Sequence, residues 1–251
     1  MKRLLLWVQY IYELLFKTYW LNIFKFLKDI IMFIKDYRFY KSRNKNEKFK
    51  IWLNSLYPCL IDRTINTPLD YVYIYQDSWA AGKIININPK EHHDIGSKVE
   101  MVGIISQCTP TTMVDIRRVD INLPWLDFIE WSILKLPFEN YTIESISAIC
   151  VIEHIWLWRY GDPINPFGSE ESFQEIKRVL KNWGHFIFSV PVDKENTIYF
   201  NAHRAFTRDY ILELMSEFSL QEEKYIYGKD FIDTYSPEKW VGVWCYYFIK
   251  N

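Results

Sequence analysis

A glycine turn at residues 94–97 is the feature of this sequence that most constrains its fold. Asp94-Ile95-Gly96-Ser97 follows a short polar run and precedes residues 99–106, which have a helical pattern. In a strand–turn–helix unit, such a glycine lets backbone N–H groups approach a nucleotide-like ligand. Asp115 closes the next apolar run, 21 residues after Asp94. Open α/β sheets place a ribose-binding carboxylate at about that interval, so the stretch predicts a nucleoside- or dinucleotide-binding half-fold.

Strand and helix patterns alternate after this turn. This alternation predicts an α/β fold with a mainly parallel sheet and helices on both faces. The last two strands have no helix between them, so we expect them to pair antiparallel at an edge. Gly184, in Trp183-Gly184, is expected to supply the positive φ of a tight turn. The predicted strands are residues 91–95, 112–116, 126–131, 145–151, 185–190, 220–226 and 243–249, and the predicted helices are residues 76–84, 99–108, 169–181 and 207–217. Residues 71–75 alternate like a short strand or a segment that covers a substrate.

The charges of the chain are unevenly distributed. Residues 1–50 carry twelve Lys or Arg against four Asp or Glu, whereas residues 51–251 carry 18 against 27. Such asymmetry indicates that the basic end meets an anionic surface, or that it is a solvated helix with no particular partner. The basic surplus lies in the N-terminal helix and linker without a recognised binding motif, so we expect no nucleic acid partner.

Residues 4–40 have an amphipathic helical pattern that is rich in aromatic side chains. Glu13, Lys17 and Lys25 interrupt every apolar run before it reaches the ~18 residues of a spanning helix. No small-residue cleavage site follows the apolar start, which argues against a signal peptide. The apolar face fits either the interface of a membrane or packing on the catalytic domain or on a second subunit, as in a homodimer. Residues 41–50 read as a charged linker, giving an N-terminal extension at 1–50 and one domain at 51–251.

Cysteine and histidine spacing argues against disulfides and metal centres. The cysteines show no paired spacing, which fits a reduced, cytoplasmic protein that is either free or peripheral at the inner face of a membrane. His92 and His93 are adjacent on a predicted strand and therefore point to opposite faces, so they cannot share one ion. The four cysteines are Cys59, Cys108, Cys150 and Cys245.

Several motifs resemble those of class I S-adenosylmethionine-dependent methyltransferases. They are Leu136-Pro137-Phe138, residues 143–152, Glu153-His154-Ile155, and residues 175–191. Within that superfamily, residues 70–227 are most similar to a branch catalogued as a domain of unknown function, first described in nematode proteins and also found in bacteria. The closer match rests on Tyr75-Gln76-Asp77, His93-Asp94-Ile95-Gly96-Ser97, Asp115-Ile116-Arg117, Glu153-His154-Ile155, Arg159-Tyr160-Gly161-Asp162-Pro163, Ser189-Val190-Pro191 and Asn201-Ala202-His203-Arg204. The resemblance implies a Rossmann-like sheet of seven strands with an antiparallel edge strand.

The resemblance also implies S-adenosylmethionine as cofactor. Gly96 and Ser97 would adjoin its methionine part while Asp94 organises the loop. The expected ribose and adenine contacts are Asp115, Ile116, Ser132 and Ile133. The chain departs from the superfamily pattern twice, because Lys98 replaces a second glycine and Ser132 replaces an acid. Asp115 has a competing interpretation as the ion-pair partner of Arg117 or Arg118.

The expected catalytic residues are Glu153, His154 and His203. A histidine that titrates near neutrality suits removal of a proton from an acceptor hydroxyl, although either histidine is equally compatible with a structural hydrogen bond. Arginines can clamp a phosphate or carboxylate through two parallel hydrogen bonds, or they can form salt bridges within their loops. The expected substrate-binding residues are Arg159, Tyr160, Asp162 and Arg204.

Three functions compete at this point. The leading one is an O-methyltransferase for a small or glycan-related acceptor, phosphorylated or nucleotide-linked, in bacterial surface-polysaccharide synthesis. The second is a methyltransferase-like protein without activity that serves as a scaffold or membrane-associated partner. The third is a glycosyltransferase, which the absence of an Asp-x-Asp motif disfavours.

Overall fold

The computed structural model describes residues 23–236, 238–239 and 242–251. The chain forms two compact units, residues 1–68 and residues 69–251. The boundary predicted at residue 50 lies inside the first of these units.

The first unit contains the helix α1 (Ile23–Arg43). Its apolar pattern predicted a helix at residues 4–40, and this is confirmed from residue 23 onward, whereas residues 4–22 lie outside the described residues. A small cluster forms where Leu60 packs against three side chains of α1. Other apolar side chains of this helix are exposed, including Phe24, Leu27 and Ile31. No helix formed by the described residues combines the length and apolar character that a membrane crossing requires.

The second unit is built on one eight-stranded sheet with the order β3-β2-β1-β4-β5-β10-β8-β9. The first five strands in this order run parallel, while β10 pairs antiparallel with both β5 and β8. The strands of this sheet are β1 (His92–Ile95), β2 (Thr111–Asp115), β3 (Leu126–Glu130), β4 (Ile143–Ile149), β5 (Leu180–Val192), β8 (Phe218–Tyr227), β9 (Asp230–Ile232) and β10 (Gly242–Lys250). A separate two-stranded ribbon pairs β6 (Thr197–Tyr199) with β7 (His203–Ala205).

The predicted α/β class and mainly parallel sheet are confirmed, but the sheet has eight strands instead of the expected seven, and the order of its last strands differs. The antiparallel pairing of the last long strands is as expected, but β10 lies between β5 and β8 instead of at the edge. The edge strand is β9, which returns along β8 after a two-residue turn. Gly228 adopts φ 61° in that turn, the left-handed conformation that tight hairpins require.

Helices cover both faces of the sheet. Along β5, Phe186 and Phe188 join one apolar cluster while Ile187 joins the other, because successive strand residues point to opposite faces. The cluster around Phe186 includes residues of two helices, α4 (Gly168–Val179) and α5 (Arg208–Leu214), and the cluster around Ile187 includes residues of α2 (Tyr71–Ile87) and α3 (Val99–Ile105).

Two local predictions were wrong. The segment at residues 71–75 is the first part of α2 instead of a strand, since the Asp70 carboxylate accepts a hydrogen bond from Tyr73 N and caps the helix. In the turn before the second half of β5, Trp183 has the positive φ of 64°, not Gly184. Gly184 is required for space, because a Cβ there would lie 2.7 Å from both Leu180 Cγ and the Lys181 carbonyl oxygen.

Candidate active site

The glycine turn at the carboxyl end of β1 opens a cleft in the second unit. Gly96 has φ +63°, a conformation that side chains disfavour. A Cβ at this position would lie 3.3 Å from Val151 Cγ1 and 3.6 Å from Asp115 Oδ2. The turn therefore passes directly beside the carboxylate that ends β2. This is the adjacency that the spacing of Asp94 and Asp115 predicted.

A buried hydrogen-bond network holds the turn in place. Asp94 accepts hydrogen bonds from Ser97 N at 3.0 Å and from the Ser147 hydroxyl. His92 bridges Ser145 and Ser147 through its two ring nitrogens. Burial raises the pKa of Asp94 to about 6 and lowers the pKa of His92 to about 3. Asp94 lies below the cleft, where it fixes the loop as expected, and His92 is confirmed to point away from His93, whose ring packs against Phe138.

Ser97 connects the turn to the neighbouring strand. Its hydroxyl accepts a hydrogen bond from Ile149 N at 2.9 Å, which ties the turn to the end of β4. The next residue, Lys98, has φ −65° and ψ 123°. Because this is ordinary extended backbone, the position does not require the second glycine of the superfamily pattern.

The sequence left open whether Asp115 faces the ligand cleft or pairs with a neighbouring arginine, and in the structure it does both. Its carboxylate lines the cleft, and it also accepts a hydrogen bond from Arg117 N at 2.8 Å. The Arg117 guanidinium lies 3.4 Å from Asp115 Oδ2, while its centre lies 4.2 Å from the centroid of the Tyr160 ring. The ion pair is long and its arginine is exposed, so it leaves Asp115 at the cleft wall.

The cleft has two lobes that share six lining residues, namely Gly96, Asp115, Arg117, Cys150, His154 and Tyr160. The apolar lobe has a volume of about 590 Å³ including its mouth, and residues that line it beyond the shared ones include Ile116, Trp131, Ser132, Ile133, Val151, Ile155, Trp156 and Asp162. The basic lobe has a volume of about 1180 Å³ including its mouth, and residues that line it beyond the shared ones include Tyr73, Lys98, Arg118 and Arg159.

Ser132 and Ile133 lie in the apolar lobe, as do Ile116 and Asp162. The Ser132 hydroxyl accepts a hydrogen bond from Leu134 N at 3.3 Å and caps a short helical turn, so it supplies a polar atom without a charge. Asp162 accepts a hydrogen bond from Tyr160 N at 3.0 Å. Together with the planar rings of Trp131 and Trp156, they give the lobe a mainly apolar lining with few polar atoms, which suits a heterocyclic base.

Glu153 and His154 form a buried pair after β4. His154 Nε2 lies 3.6 Å from Glu153 Oε1, and His154 Nδ1 donates a hydrogen bond to the Ala202 carbonyl oxygen at 2.7 Å. Burial, and then the Arg159 charge, lower the pKa of His154 to about 4. Burial raises the pKa of Glu153 to about 8, and its Oε2 atom has no hydrogen-bond partner among the described residues. At neutral pH the histidine is therefore a neutral ring and the glutamate is protonated.

The other predicted catalytic and substrate residues separate into two groups. Arg159 and Tyr160 line the basic lobe, where Arg159 donates a hydrogen bond to the Ala202 carbonyl oxygen at 2.8 Å. His203 lies on β7 and does not line either lobe, and burial lowers its pKa.

The prediction that Arg204 binds substrate was wrong. Its guanidinium is buried and donates hydrogen bonds to Ile155 O at 2.7 Å, Asn165 O at 2.8 Å and the Ser169 hydroxyl at 3.1 Å. These acceptors hold together the loop after β4 and the start of α4. Arg204 therefore belongs to the scaffold under the site.

Several site residues were missed by the sequence analysis. Gln76 on α2 is fully buried and accepts hydrogen bonds from the Ser189 hydroxyl at 2.9 Å and from Cys150 Sγ at 3.1 Å. Cys150 directly follows β4, has φ 52° and lines both lobes. The available signals were the Tyr75-Gln76-Asp77 motif and the position of Cys150 three residues before Glu153. Among the side chains that the structure describes, no group of three His, Cys, Asp or Glu could hold a metal ion.

Comparison with known proteins identifies a family and a fold. A family model described as "Caenorhabditis protein of unknown function, DUF268" matches residues 114–243. A search of curated proteins found no significant match.

Solved structures resemble the second unit at low sequence identity. The [4+2]-cyclase SpnF aligns with a TM-score of 0.52 at 13% identity, over 69% of this chain and 80% of that one. A putative sarcosine dimethylglycine methyltransferase from Galdieria sulphuraria aligns with a TM-score of 0.52 at 12% identity, over 71% and 85%. Geranyl diphosphate methyltransferase in complex with SAM aligns with a TM-score of 0.52 at 10% identity, over 69% and 85%. The likeness establishes a class I methyltransferase fold.

Proposed function

This chain belongs to the DUF268 family, and on that premise we propose that it is an S-adenosylmethionine-dependent methyltransferase that modifies an oxygen of a small or glycan-related acceptor. The observation that carries the proposal is the close approach of Gly96 to Asp115 at the mouth of the cleft. A Cβ atom added at Gly96 would lie 3.6 Å from Asp115 Oδ2. A carboxylate beside an open backbone turn is the arrangement that holds a ribose in open α/β sheets. A role in bacterial surface-polysaccharide synthesis rests on the family resemblance alone.

The residues of the cleft fit this cofactor. Gly96 and Ser97 would adjoin its methionine part, because the turn has no side chain between its backbone and the cleft. The Asp115 carboxylate would accept hydrogen bonds from the ribose hydroxyls. The apolar lobe would hold the adenine against Ile116 and Ile133, with Ser132 as its polar contact.

His154 is the residue that we assign to proton removal. S-adenosylmethionine supplies a sulfonium-bound methyl group, and its transfer to an acceptor hydroxyl gives a methyl ether, S-adenosylhomocysteine and one proton. Since His154 Nδ1 donates to Ala202 O, Nε2 is the nitrogen of the neutral ring that can accept a proton. It lies at the junction of the two lobes, 3.4 Å from Arg159 Nη1 and 3.6 Å from Glu153 Oε1, so an acceptor hydroxyl that binds there would replace the Arg159 contact. Glu153 is protonated at neutral pH and therefore positions the ring without competing for that proton. The position of His203 outside both lobes favours His154 over it.

Calorimetric titration with S-adenosylhomocysteine tests the proposal. We expect binding by the wild-type protein and about tenfold weaker binding by Asp115→Asn, because the amide replaces a charge-assisted hydrogen bond by a neutral one. Asp127→Asn is the control, since Asp127 is an exposed carboxylate on the edge strand β3. If the folded protein gives no heat of binding at high micromolar ligand, the proposed enzymatic function is refuted. If Asp115→Asn and Asp127→Asn bind with equal affinity, the assignment of Asp115 to the ribose is refuted.

The competing function is an inactive scaffold. The ion pair between Arg117 and Asp115 is the observation that favours it, since a paired carboxylate is less available to a ribose. The same titration decides between the two, because a scaffold with this fold has no reason to bind S-adenosylhomocysteine.

The N-terminal unit supports a further part of the proposal, a contact of α1 with a protein or with the inner face of a membrane. Phe24, Leu27 and Ile31 form an exposed apolar row, and Lys28 and Lys35 line the same surface. An apolar row with lysines at its margin suits an anionic lipid interface or a second copy of this chain.

A further inference from the structure

The basic lobe of the cleft collects cations from three loops. Lys98 follows β1, Arg118 follows β2, and Arg159 follows the turn after β4, and all three line the same lobe. The acids on that lobe are Glu100 and Asp115, of which Asp115 is already paired with Arg117. The lobe therefore carries a surplus of positive charge.

These three cations lack an acidic partner within the described part of the chain. None of them has a carboxylate oxygen within 4.0 Å, whereas Arg178 and Arg208 are paired with Glu175 and Glu223 at 2.6 and 2.8 Å. This difference is informative because residues 51–251 contain 27 acidic and only 18 basic residues, so acidic partners are abundant. In an acid-rich unit, a group of unpaired cations in a cleft indicates an anionic ligand.

Aromatic and backbone contacts orient two of the cations without neutralising them. Lys98 Nζ lies 5.1 Å from the centroid of the Tyr73 ring, and the Arg159 guanidinium lies 5.3 Å from that of Tyr160. Arg159 is also held by its hydrogen bond to Ala202 O. Cations fixed in this way lose less entropy when they bind an anion.

The cofactor alone does not account for this charge. The single carboxylate of S-adenosylmethionine, at the glycine turn, would offset one cation, and Lys98 belongs to that turn. Its amino and sulfonium groups add two positive charges to the same cleft. Arg118 and Arg159 then stay uncompensated in the basic lobe.

We propose that the acceptor carries a phosphate or diphosphate group, which Arg118 and Arg159 bind in the basic lobe. This inference rests on the proposed function and specifies its substrate class. Guanidinium groups suit the task because their paired N–H donors match two phosphate oxygens. The lobe borders His154, so an acceptor anchored by its phosphate would present a nearby hydroxyl to Nε2.

Calorimetry with inorganic pyrophosphate and inorganic phosphate tests the inference on the full chain, with and without saturating S-adenosylhomocysteine. We expect pyrophosphate to bind, and Arg118→Gln and Arg159→Gln to weaken it by about tenfold each. Lys90→Gln is the matched control, because it removes one exposed positive charge before the amino end of β1, whereas the cleft lies at the carboxyl end of that strand. Tighter binding of pyrophosphate than of phosphate indicates a diphosphate acceptor, and the reverse order indicates a phosphomonoester.

The outcomes separate this inference from the proposed function. Binding of S-adenosylhomocysteine without binding of either anion overturns the phosphorylated acceptor and leaves the methyltransferase intact. Anion binding that Arg118→Gln and Lys90→Gln weaken equally also overturns it, because the effect then follows net charge and not this lobe. Absence of S-adenosylhomocysteine binding overturns the proposed function, whatever the anions do.

Discussion

Replacement of Glu153 by glutamine should remove a specific pH dependence from the stability of this protein. The Glu153 carboxyl group is buried and its pKa is raised to about 8 because burial disfavours the charged form. In the unfolded chain the same group titrates near its ordinary value of about 4.3. Between these two values the folded protein holds a proton that the unfolded chain has released.

The sign and the magnitude follow from this difference. A raised pKa gives stability that is complete below the unfolded value and is lost as pH rises through the folded value. The loss amounts to about 1.4 kcal/mol per pH unit. From pH 6.5 to pH 8 the wild-type protein should therefore lose about 2 kcal/mol relative to Glu153→Gln, and the difference should level off above pH 8.

Urea denaturation of both proteins at half-unit intervals from pH 6.5 to 9 measures this difference. Other titrating groups are common to the two proteins and cancel in the subtraction. Glu139→Gln, which removes an exposed carboxylate, controls for the loss of one charge. A wild-type minus Glu153→Gln difference that is constant over this range would show that Glu153 is ionised in the folded protein and would refute its role as a neutral partner of His154.

Two further predictions concern residues outside the catalytic pair. Arg204→Ala should lower the free energy of unfolding by about 3 kcal/mol, because it leaves the part-buried carbonyl oxygens of Ile155 and Asn165 and the buried Ser169 hydroxyl without this donor. The affinity for S-adenosylhomocysteine, measured by calorimetry on the folded fraction, should stay within twofold. A larger loss of affinity would show that Arg204 belongs to the binding site. The full chain should co-sediment with vesicles that contain phosphatidylserine. The double substitution Leu27→Ser with Ile31→Ser should abolish this co-sedimentation. If both proteins stay in the supernatant, α1 packs against protein and does not bind the membrane.

The sequence predicted the elements of the sheet better than the directions of the loop side chains. Gly96 and Asp115 could be placed together because the carboxyl ends of neighbouring parallel strands must meet at one edge. By contrast, the sequence could not distinguish Arg204, which is buried, from Arg118, which lines the cleft. Both are arginines in polar segments, and no periodicity fixes whether a loop side chain points inward or outward. The oxygen atoms that accept hydrogen bonds from Arg204 come from residues 35–49 positions away, so its burial is a property of the tertiary structure.

Local context explains the errors at two other positions. Residues 71–75 alternate like a strand, but Asp70 caps a helix there and the helix buries Gln76, Trp79 and Ile84 on one face. That burial is decided by the sheet and outweighs the strand propensity of the tyrosines. At the turn within β5, the predicted positive φ of Gly184 belongs to Trp183, and the need for a glycine at 184 comes instead from the close approach of Leu180 and Lys181.

The cations of the basic lobe also bear on how a weak base can remove a proton. The pKa of His154 is lowered to about 4, so the ring is neutral and available, but it is a poor base for an ordinary hydroxyl. Arg117 and Arg159 both line the basic lobe beside His154, and in the proposed reaction they would stabilise negative charge on an acceptor oxygen. Positive charge near the acceptor lowers the pKa of its hydroxyl while it lowers the pKa of the histidine. The proton transfer therefore depends on the difference between the pKa of the acceptor hydroxyl and that of His154. Because the cations lower both pKa values, an uncharged His154 is compatible with catalysis.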